Sequence, residues 1–336
     1  MKRVFGKLRI EKSKENSGTI LRDSNIPILK EKDYFIVDQE IDGDAPKQFI
    51  KAYFYKKNNG VRRNNPNTWI PYIAKTAEKW YPHESVIEFL INKIGLELGL
   101  LMNEVKLVKG NGQIRFLSKY FLSKNERLVH GAEICGEHLG DVAFAKEIAD
   151  NKSKARELFT FEFIKQSIYS VYPENKDELL RNLIRLLTFD AIVGNNDRHF
   201  YNWGIIDYKK KSLKPVRFAP IYDSARGLFW NFSDDNLRKN FASKKHDNTK
   251  LNKYIVSAKP RVSIENNKEA NHFELIEKIK NENKNYQSII SELISPEKEK
   301  KVIEMIKRDF SPFFIEERLE LIIFTLIFRF NKLREL

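Results

Sequence analysis

The chain is poor in cysteine and in long apolar runs, and both shortages exclude classes of protein. Its 336 residues contain one cysteine, Cys135, so neither a disulfide framework nor a cysteine-based zinc site is available. The longest apolar run, residues 321–328, is much shorter than the roughly 20 residues that span a bilayer. The first ten residues hold no apolar core of signal-peptide length. We therefore expect a cytoplasmic protein without a membrane span, and we leave non-classical export open.

Glycine-rich nucleotide-binding motifs are also missing. The chain has 14 glycines, but none of them belongs to a GxGxxG or a Walker A motif. The best candidate for a phosphate-binding loop is residues 58–65, where Gly60 is surrounded by asparagines and arginines. Their backbone amides and guanidinium groups suit a phosphate, although an exposed basic hairpin turn would explain the same residues equally well.

Positive charge is in excess. The chain has 60 Lys and Arg against 46 Asp and Glu, a formal net charge of +14, which favours polyanionic partners. These basic residues are spread along the chain, whereas nucleic-acid-binding proteins usually concentrate them on one face or helix. Nucleic acid is therefore an open but not a favoured partner.

The order of predicted elements indicates an α+β protein. Short apolar stretches between turn clusters predict strands in residues 1–75, a helix follows Pro82, and residues 105–121 form a hairpin. Beyond residue 130 the apolar spacing is helical, and Pro312 should divide the segment 273–336 into two helical stretches. We expect a bilobal, protein-kinase-like fold, with a β-rich small lobe (1–120) that carries one key helix and a mainly helical large lobe (121–336). A ligand is expected in the cleft between them.

Three oxygen-bearing side chains carry the chemical hypothesis. A long predicted helix ends at Gly194, Asp197 and Asn202 follow in a polar loop, and Asp223 comes after a predicted hairpin over 203–221. Phosphoryl transfer from ATP needs ligands for Mg²⁺ and a group that orients the acceptor hydroxyl. Protein kinases use this order and the same five-residue spacing. We predict that Asp197 is the catalytic base and that Asn202 and Asp223 hold Mg²⁺, although each residue alone could be an ordinary turn residue.

Two neighbours of Asp197 are less specific. His199 is included with Asp197 among the candidate catalytic residues, but it has no second His or Cys nearby that would indicate zinc. A hydrogen bond to the loop backbone is its simpler role. Arg198 suits either a phosphate contact or an exposed surface position.

A lysine and a glutamate complete the predicted ATP site. Lys75 ends a predicted strand, and Glu84 lies in the first turn of the next helix. Kinases use such a lysine on the α- and β-phosphates and steady it with a helix glutamate. The sequence order predicts the pair Lys75–Glu84, with Lys79 and Glu88 as the local competitors.

Two motifs resemble those of the HipA-like serine/threonine kinases. They are Gly-Asn-Asn-Asp-Arg-His at 194–199, followed by Asn202, and Ala-Pro-Ile-Tyr-Asp at 219–223. The resemblance spans most of residues 50–336 and implies phosphorylation of Ser or Thr with ATP and Mg²⁺, together with autophosphorylation. It places the adenine-binding hinge at Lys119, Tyr120 and Phe121.

The chain also departs from this family. The Ser-containing phosphate loop of the HipA toxins is not recognisable, so no serine is assigned as an autophosphorylation site. The N-terminal region is shorter than the extra domain of those toxins, which leaves their antitoxin binding and their DNA-bound complex open for this chain.

Two alternatives to a protein kinase stay open. A phosphoinositide-type lipid kinase would share this active-site logic, and a non-catalytic module could bind nucleic acid or an antitoxin through its basic surface. If the substrate is a protein, basic residues after Asp223 predict an acceptor Ser or Thr with an acidic or phosphorylated flank. These residues are Arg238, Lys239, Lys244, Lys245, Lys250 and Lys253.

Overall fold

The computed structural model describes residues 3–38, 47–55, 60–209, 214–242 and 249–336. Strands predominate in the first part of the chain. The strands in these ranges are β1 (Arg3–Val4), β2 (Glu15–Asn16), β3 (Tyr34–Val37), β4 (Lys47–Ala52), β5 (Ile70–Lys75), β6 (Trp80–Tyr81), β7 (Val105–Gly110), β8 (Gln113–Lys119), β9 (Glu126–His130), β10 (Gly204–Tyr208) and β11 (Arg217–Phe218).

Helices make up most of the second part. They are α1 (His83–Glu97), α2 (Gly131–Leu139), α3 (Val142–Asp150), α4 (Lys152–Leu158), α5 (Phe161–Val171), α6 (Lys176–Val193), α7 (Asp234–Leu237), α8 (Thr249–Val256), α9 (His272–Glu282), α10 (Lys284–Leu293), α11 (Pro296–Asp309) and α12 (Glu316–Glu335). None of the helices in the described ranges combines the length and the apolarity that a membrane crossing requires. The α+β architecture predicted from the sequence is confirmed.

One antiparallel sheet forms the small lobe, with the strand order β1-β3-β4-β5-β8-β7. Lys47 lies opposite Lys75, and at the other end of the same strand pair Ala52 lies opposite Ile70. Since β3 runs antiparallel to β4 on its other side, β3 ends and β4 begins toward the Lys75 end of the sheet. The β4–β5 connection turns at the far end, about 17 Å away at ~3.4 Å per residue. The β4–β5 connection therefore lies at the end of the sheet away from Lys75.

Helix α1 connects the small lobe to the main core. Val86, Leu90 and Ile94 are fully buried, as expected for residues spaced four apart on one face of a helix. This face belongs to an apolar cluster that continues through the helices of the large lobe, while smaller clusters lie within the sheet. The helix therefore has a fixed position relative to both lobes.

The predicted division near residue 120 coincides with a change of sheet. β8 ends at Lys119 in the six-stranded sheet, whereas β9 pairs with β10 in a separate sheet of order β11-β10-β9. The exact boundary between two domains stays a prediction.

The second strand of the predicted hairpin is shorter than expected. β11 covers only Arg217–Phe218, because residue 221 leaves the hairpin to pair with the small lobe. Ile221 N–H donates to the Leu101 carbonyl at 2.8 Å, and Asn103 N–H donates to the Ile221 carbonyl at 2.9 Å. These two bonds fix the chain just before Asp223 beneath the small lobe.

The C-terminal segment contains four helices, α9 to α12, so the prediction of two stretches was wrong. Pro312 does lie in a break, between α11 and α12. Two further breaks start at capping residues: Asn283 accepts a hydrogen bond from the Tyr286 amide, and Ser295 accepts one from the Lys298 amide. Such side chains satisfy the free N–H groups at a helix start, and Pro296 in the first turn is equally favourable there.

The predicted end of α6 at Gly194 is confirmed. Gly194 has φ +68° and caps the helix in the left-handed conformation, which glycine adopts without the steric cost of a Cβ atom. A Cβ atom at this position would lie 3.3 Å from Nη1 of Arg329. The glycine therefore permits both the turn into the next loop and the close approach of Arg329.

We predict that Gly194→Ala lowers the free energy of unfolding by more than Gly140→Ala does. Gly140 is the matched control, since it caps α2 at φ +74° with nothing within 4 Å of an added Cβ atom. The left-handed conformation alone should cost about 1–2 kcal/mol in either variant. Gly194→Ala adds the crowding against Arg329. Thermal and urea unfolding of the two variants would measure the difference, and equal losses would contradict the role given to Arg329.

Candidate active site

Lys75 lies where the two lobes meet. From the end of β5, its Nζ is 3.1 Å from Oε1 of Glu88 in α1 and 2.8 Å from Oδ1 of Asp223 in the large lobe. Burial by itself lowers the pKa of Lys75, but the two carboxylates raise it above its ordinary value. Lys75 is therefore a permanent cation that connects the sheet, α1 and the segment after the β10–β11 hairpin.

The prediction that Glu84 pairs with Lys75 was wrong by one helical turn. Glu84 accepts hydrogen bonds at 3.1 Å from the backbone amides of Lys79 and Trp80, so it holds the connection that enters α1. Glu88 lies one turn further along the same face, about 5.4 Å along the axis, and reaches Lys75. Burial raises the pKa of Glu88, and the charge of Lys75 opposes this rise. The competitor that the sequence left open is thus the partner.

One carboxylate oxygen of Asp223 is bound to Lys75, and the other is available to a ligand. Its backbone has φ +53°, a left-handed conformation in which Asp is tolerated better than most residues. Desolvation raises the pKa of Asp223, but Lys75, together with the charges of Lys47 and His199, outweighs this effect and lowers the pKa to about 2. Oδ1 accepts the bond from Lys75, while Oδ2 has no hydrogen-bond partner within the described ranges. Asp223 therefore presents an ionised oxygen at the cleft.

Arg198 is a buried structural residue, which corrects both roles considered for it. Its guanidinium pairs with the Asp190 carboxylate through bonds of 2.9 and 3.0 Å, and both side chains are 1% exposed. Nη1 also donates to the carbonyls of Asn202, at 3.0 Å, and Tyr222, at 2.6 Å. One guanidinium thereby holds α6, the polar loop and the residue before Asp223 together.

Asn202 is buried and oriented by its neighbours. Its Nδ2 donates to the Asp197 carbonyl at 3.2 Å, which leaves the amide oxygen as the atom available to a cation. Together with Asp223 it supplies two hard oxygen donors, and Mg²⁺ commonly takes its remaining ligands from phosphates and water. No group of three or more His, Cys, Asp or Glu side chains forms a metal cage in the part of the chain that is described. The residues present fit a metal that is shared with a bound nucleotide.

The Asp197 carboxylate lies between two arginines that the sequence did not reveal. Oδ1 is 2.6 Å from Nη2 of Arg261, and Oδ2 is 3.0 Å from Nε of Arg226. Arg226 stands three residues after Asp223 in the second motif region, but Arg261 is 64 residues beyond Asp197, so no local pattern could have found it. In this structure the predicted base is ion-paired on both oxygens.

His199 bonds the loop backbone, as its simpler predicted role required. Its Nδ1 accepts a hydrogen bond from the Tyr201 amide at 3.3 Å. Burial lowers the pKa of His199, while the charges of Asp197 and Asp223 oppose the shift. The imidazole is therefore neutral at pH 7, and its catalytic role stays a prediction.

The three predicted hinge residues differ in whether their backbone groups already have hydrogen-bond partners. The Lys119 amide donates to the Glu104 carbonyl and the Tyr120 amide donates to the Pro71 carbonyl, at 2.9 and 3.0 Å. The Lys119 carbonyl accepts a bond from Asn103. Phe121 N–H has no partner among the residues described, so it is the donor that an adenine edge could use.

Gly60 lies away from this site, which corrects its assignment to ATP. It is exposed, with φ +71°, and belongs to the connection at the end of β4–β5 opposite Lys75. Nearby Arg63 is committed to Asp33 at 2.7 Å. Residues 58–59 of the predicted phosphate loop lie outside the described residues.

The basic rim predicted after Asp223 stays a prediction. Arg238 pairs with Glu317 at 3.0 Å, and Lys244 and Lys245 lie outside the described residues. The cations that contact the predicted base are Arg226 and Arg261.

Comparison with known proteins identifies the family. Residues 40–300 match the model of the HipA-like C-terminal domain. The chain belongs to this family. No curated protein sequence matches the chain.

Two solved structures are similar to this chain. The first is a Helicobacter pylori proinflammatory kinase, CtkA, with a TM-score of 0.65 and 19% identity over 84% of this chain and 90% of that one. The second is the toxin–antitoxin complex of HipA, HipB and operator DNA from Shewanella oneidensis MR-1, with a TM-score of 0.48 and 10% identity over 89% of this chain and 66% of that one. The likeness to CtkA shows a kinase-like fold.

We predict that Arg198→Met lowers the free energy of unfolding by about 3–5 kcal/mol, because it leaves the Asp190 carboxylate buried without a partner. Arg127→Met is the matched control. Arg127 pairs with Asp207 at 2.8 Å, but its side chain is 53% exposed, and exposed pairs contribute roughly 0–1 kcal/mol. Denaturant unfolding of both variants would test this, and a small loss for Arg198→Met would show that the buried pair does not hold the loop.

Proposed function

We propose that this protein is an ATP- and Mg²⁺-dependent serine/threonine protein kinase. The observation that carries the proposal is the contact of Lys75 in the small lobe with Asp223 in the large lobe, at 2.8 Å, with Glu88 on the other side of the lysine. A cation and a carboxylate facing each other across a cleft are what binding of a metal–triphosphate requires. The kinase-like fold supports this assignment.

Each residue near the cleft then has a stated task. Asn202 Oδ1 and the Asp223 carboxylate would hold Mg²⁺, which neutralises developing phosphate charge when it is bound with ATP. Lys75 would contact the α- and β-phosphates, and Glu88 would keep Lys75 in place. Phe121 N–H would donate to the adenine edge.

Asp197 would orient the acceptor hydroxyl and accept its proton. Arg226 and Arg261 hold its carboxylate now, so an incoming substrate must share these arginines or draw them away. A Ser or Thr next to an acidic or phosphorylated residue offers the negative charge for that purpose. The expected acidic flank is therefore supported by the contacts of Arg226 and Arg261 with Asp197.

One incubation with labelled ATP and Mg²⁺ tests the function. Its arms contain a generic protein substrate, phosphoinositide vesicles, and the protein alone for mass spectrometry of autophosphorylation. Label on Ser or Thr of a protein supports the proposal, whereas label on lipid only would assign a lipid kinase. No turnover, together with steeply salt-dependent DNA binding, would assign a nucleic-acid-binding module.

We predict that Asp197→Asn lowers kcat by roughly 10²–10⁴, the usual contribution of general acid–base catalysis, with nucleotide affinity nearly unchanged. Asp207→Asn is the control, because Asp207 is a β10 carboxylate paired with Arg127 on the surface. Steady-state kinetics and calorimetry with a non-hydrolysable nucleotide would measure both quantities. Turnover like that of the wild type in Asp197→Asn would remove Asp197 from the mechanism.

We also predict that Lys75→Met and Glu88→Gln are non-additive in kcat/KM, because each disturbs the same phosphate contact. Glu84→Gln should combine additively with Lys75→Met, since Glu84 bonds only the backbone that enters α1. A double-mutant cycle for each pair decides the matter. Coupling of Lys75 to Glu84 and not to Glu88 would contradict the pairing seen here.

A further inference from the structure

A cavity of about 230 Å³ lies behind the polar loop in the large lobe. Its walls come from the residues just before Asp197, from the segment after Asp223, from the end of α8 and from α12. The proposed nucleotide site, at Lys75, contributes no residue to these walls. The cavity is therefore a second recess beside the predicted base.

The lining is strongly positive. Lys152, Arg226, Lys259 and Arg329 all border the cavity, and no carboxylate in the described part of the chain does. Lys259 pairs with Glu269 outside the cavity. Burial lowers the pKa of Lys152, and the charges of Arg261, Arg156 and Lys259 lower it further. Such a field attracts an anion.

Arg329 is the most unusual of these four. Its side chain is 1% exposed, and Nε and Nη1 donate to the carbonyls of Ala191 and Ile255. Nη2 is buried without a partner in the described ranges. Burial lowers the pKa of Arg329 only to about 10, so the residue is charged at neutral pH. A buried cation that lacks a carboxylate partner is costly, and an anion in the cavity would remove that cost.

A second buried side chain without a hydrogen-bond partner in the described part of the chain, that of Thr325, belongs to the same lining. Thr325 precedes Arg329 by one turn of α12, lines the cavity, and is 3% exposed. Its hydroxyl has no hydrogen-bond partner within the described residues. A hydroxyl and a guanidinium edge one turn apart form a small set of buried donors.

We propose that this cavity is an anion subsite that takes a phosphoryl group, either free on a small phosphate compound or attached to a phosphorylated side chain. The volume is below the roughly 300 Å³ of pockets that hold drug-sized ligands, so a complete nucleotide is too large for it. A phosphoryl group matches the available chemistry, since it accepts several charge-assisted bonds from arginine and hydroxyl donors at once.

Arg226 connects this subsite to the predicted base. It lines the cavity, its guanidinium lies 5.0 Å from the ring centroid of Trp230, and its Nε bonds Asp197 at 3.0 Å. A bound phosphoryl group competes with Asp197 for Arg226 and so frees one oxygen of the carboxylate. This regulatory consequence rests on the proposed function of Asp197, whereas anion binding itself does not.

Binding is tested on the full chain without nucleotide or Mg²⁺, by thermal shift and calorimetry with inorganic phosphate against chloride at equal ionic strength. We expect saturable stabilisation by phosphate. Thr325→Val and Arg329→Gln should each weaken the affinity at least about tenfold, because a bond to a charged group is lost. Lys300→Gln, an exposed α11 lysine distant in sequence from the lining, controls for the loss of one charge and should bind like the wild type.

Two further variants separate this subsite from the nucleotide site. Lys75→Met should keep the phosphate affinity of the wild type. Asp197→Asn should bind phosphate more tightly, because Arg226 loses its ionic partner and the coupling is reciprocal. Loss of binding in Lys75→Met, or binding unaffected by Thr325→Val and Arg329→Gln, would overturn the proposal. These outcomes do not depend on turnover, so an inactive enzyme would not be mistaken for an empty subsite.

A last arm distinguishes the sources of the phosphoryl group. A phosphoserine peptide and its unphosphorylated form are compared with inorganic phosphate. Tighter binding of the phosphopeptide assigns a phosphorylated side chain, and equal binding assigns a free phosphate compound. Absence of saturable binding by both would refute the subsite.

Discussion

The buried pair of Arg198 and Asp190 is the interaction on which the site depends. Two charges in the core are costly to desolvate and add little net stability compared with apolar residues. Here the pair supplies position, because Arg198 also donates to the carbonyls of Asn202 and Tyr222. The Arg198 guanidinium, which is anchored to α6 through Asp190, therefore fixes the positions of both proposed metal-binding residues. A shift of that helix would move the whole site.

The second constraint comes from the small lobe. Backbone bonds between residues 101–103 and Ile221 hold the chain before Asp223, and Lys75 contacts its carboxylate directly. α1 shares its apolar face with the main core, so Glu88 approaches Lys75 from a fixed direction. Lys75 thus contacts one carboxylate from each lobe, and the proposed metal–triphosphate site depends on this arrangement.

Positive charge is organised around Asp197 in a way that composition did not indicate. Arg226 and Arg261 occupy its oxygens, and Lys152, Lys259 and Arg329 lie around the neighbouring cavity. These residues come from segments separated by up to 177 positions, from Lys152 to Arg329. The net positive charge, which from composition alone indicated only polyanionic partners in general, is in part concentrated around the predicted base. The proposed catalysis is therefore sensitive to the charge of a ligand that binds next to Asp197.

The sequence by itself determined the strand-rich first part and the mainly helical second part, the end of α6 at Gly194 and the spacing of Asp197, Asn202 and Asp223. Each of these depends on local periodicity, a turn conformation or a short motif, and residues close in sequence settle them. Only the tertiary structure decided that Glu88 and not Glu84 reaches Lys75, that Gly60 lies at the far end of the sheet, and that Arg198 is buried. It alone brought Arg226 and Arg261 to Asp197. Strand register, helix rotation and contacts between residues up to 64 positions apart fix these points, because they depend on how separate elements pack together.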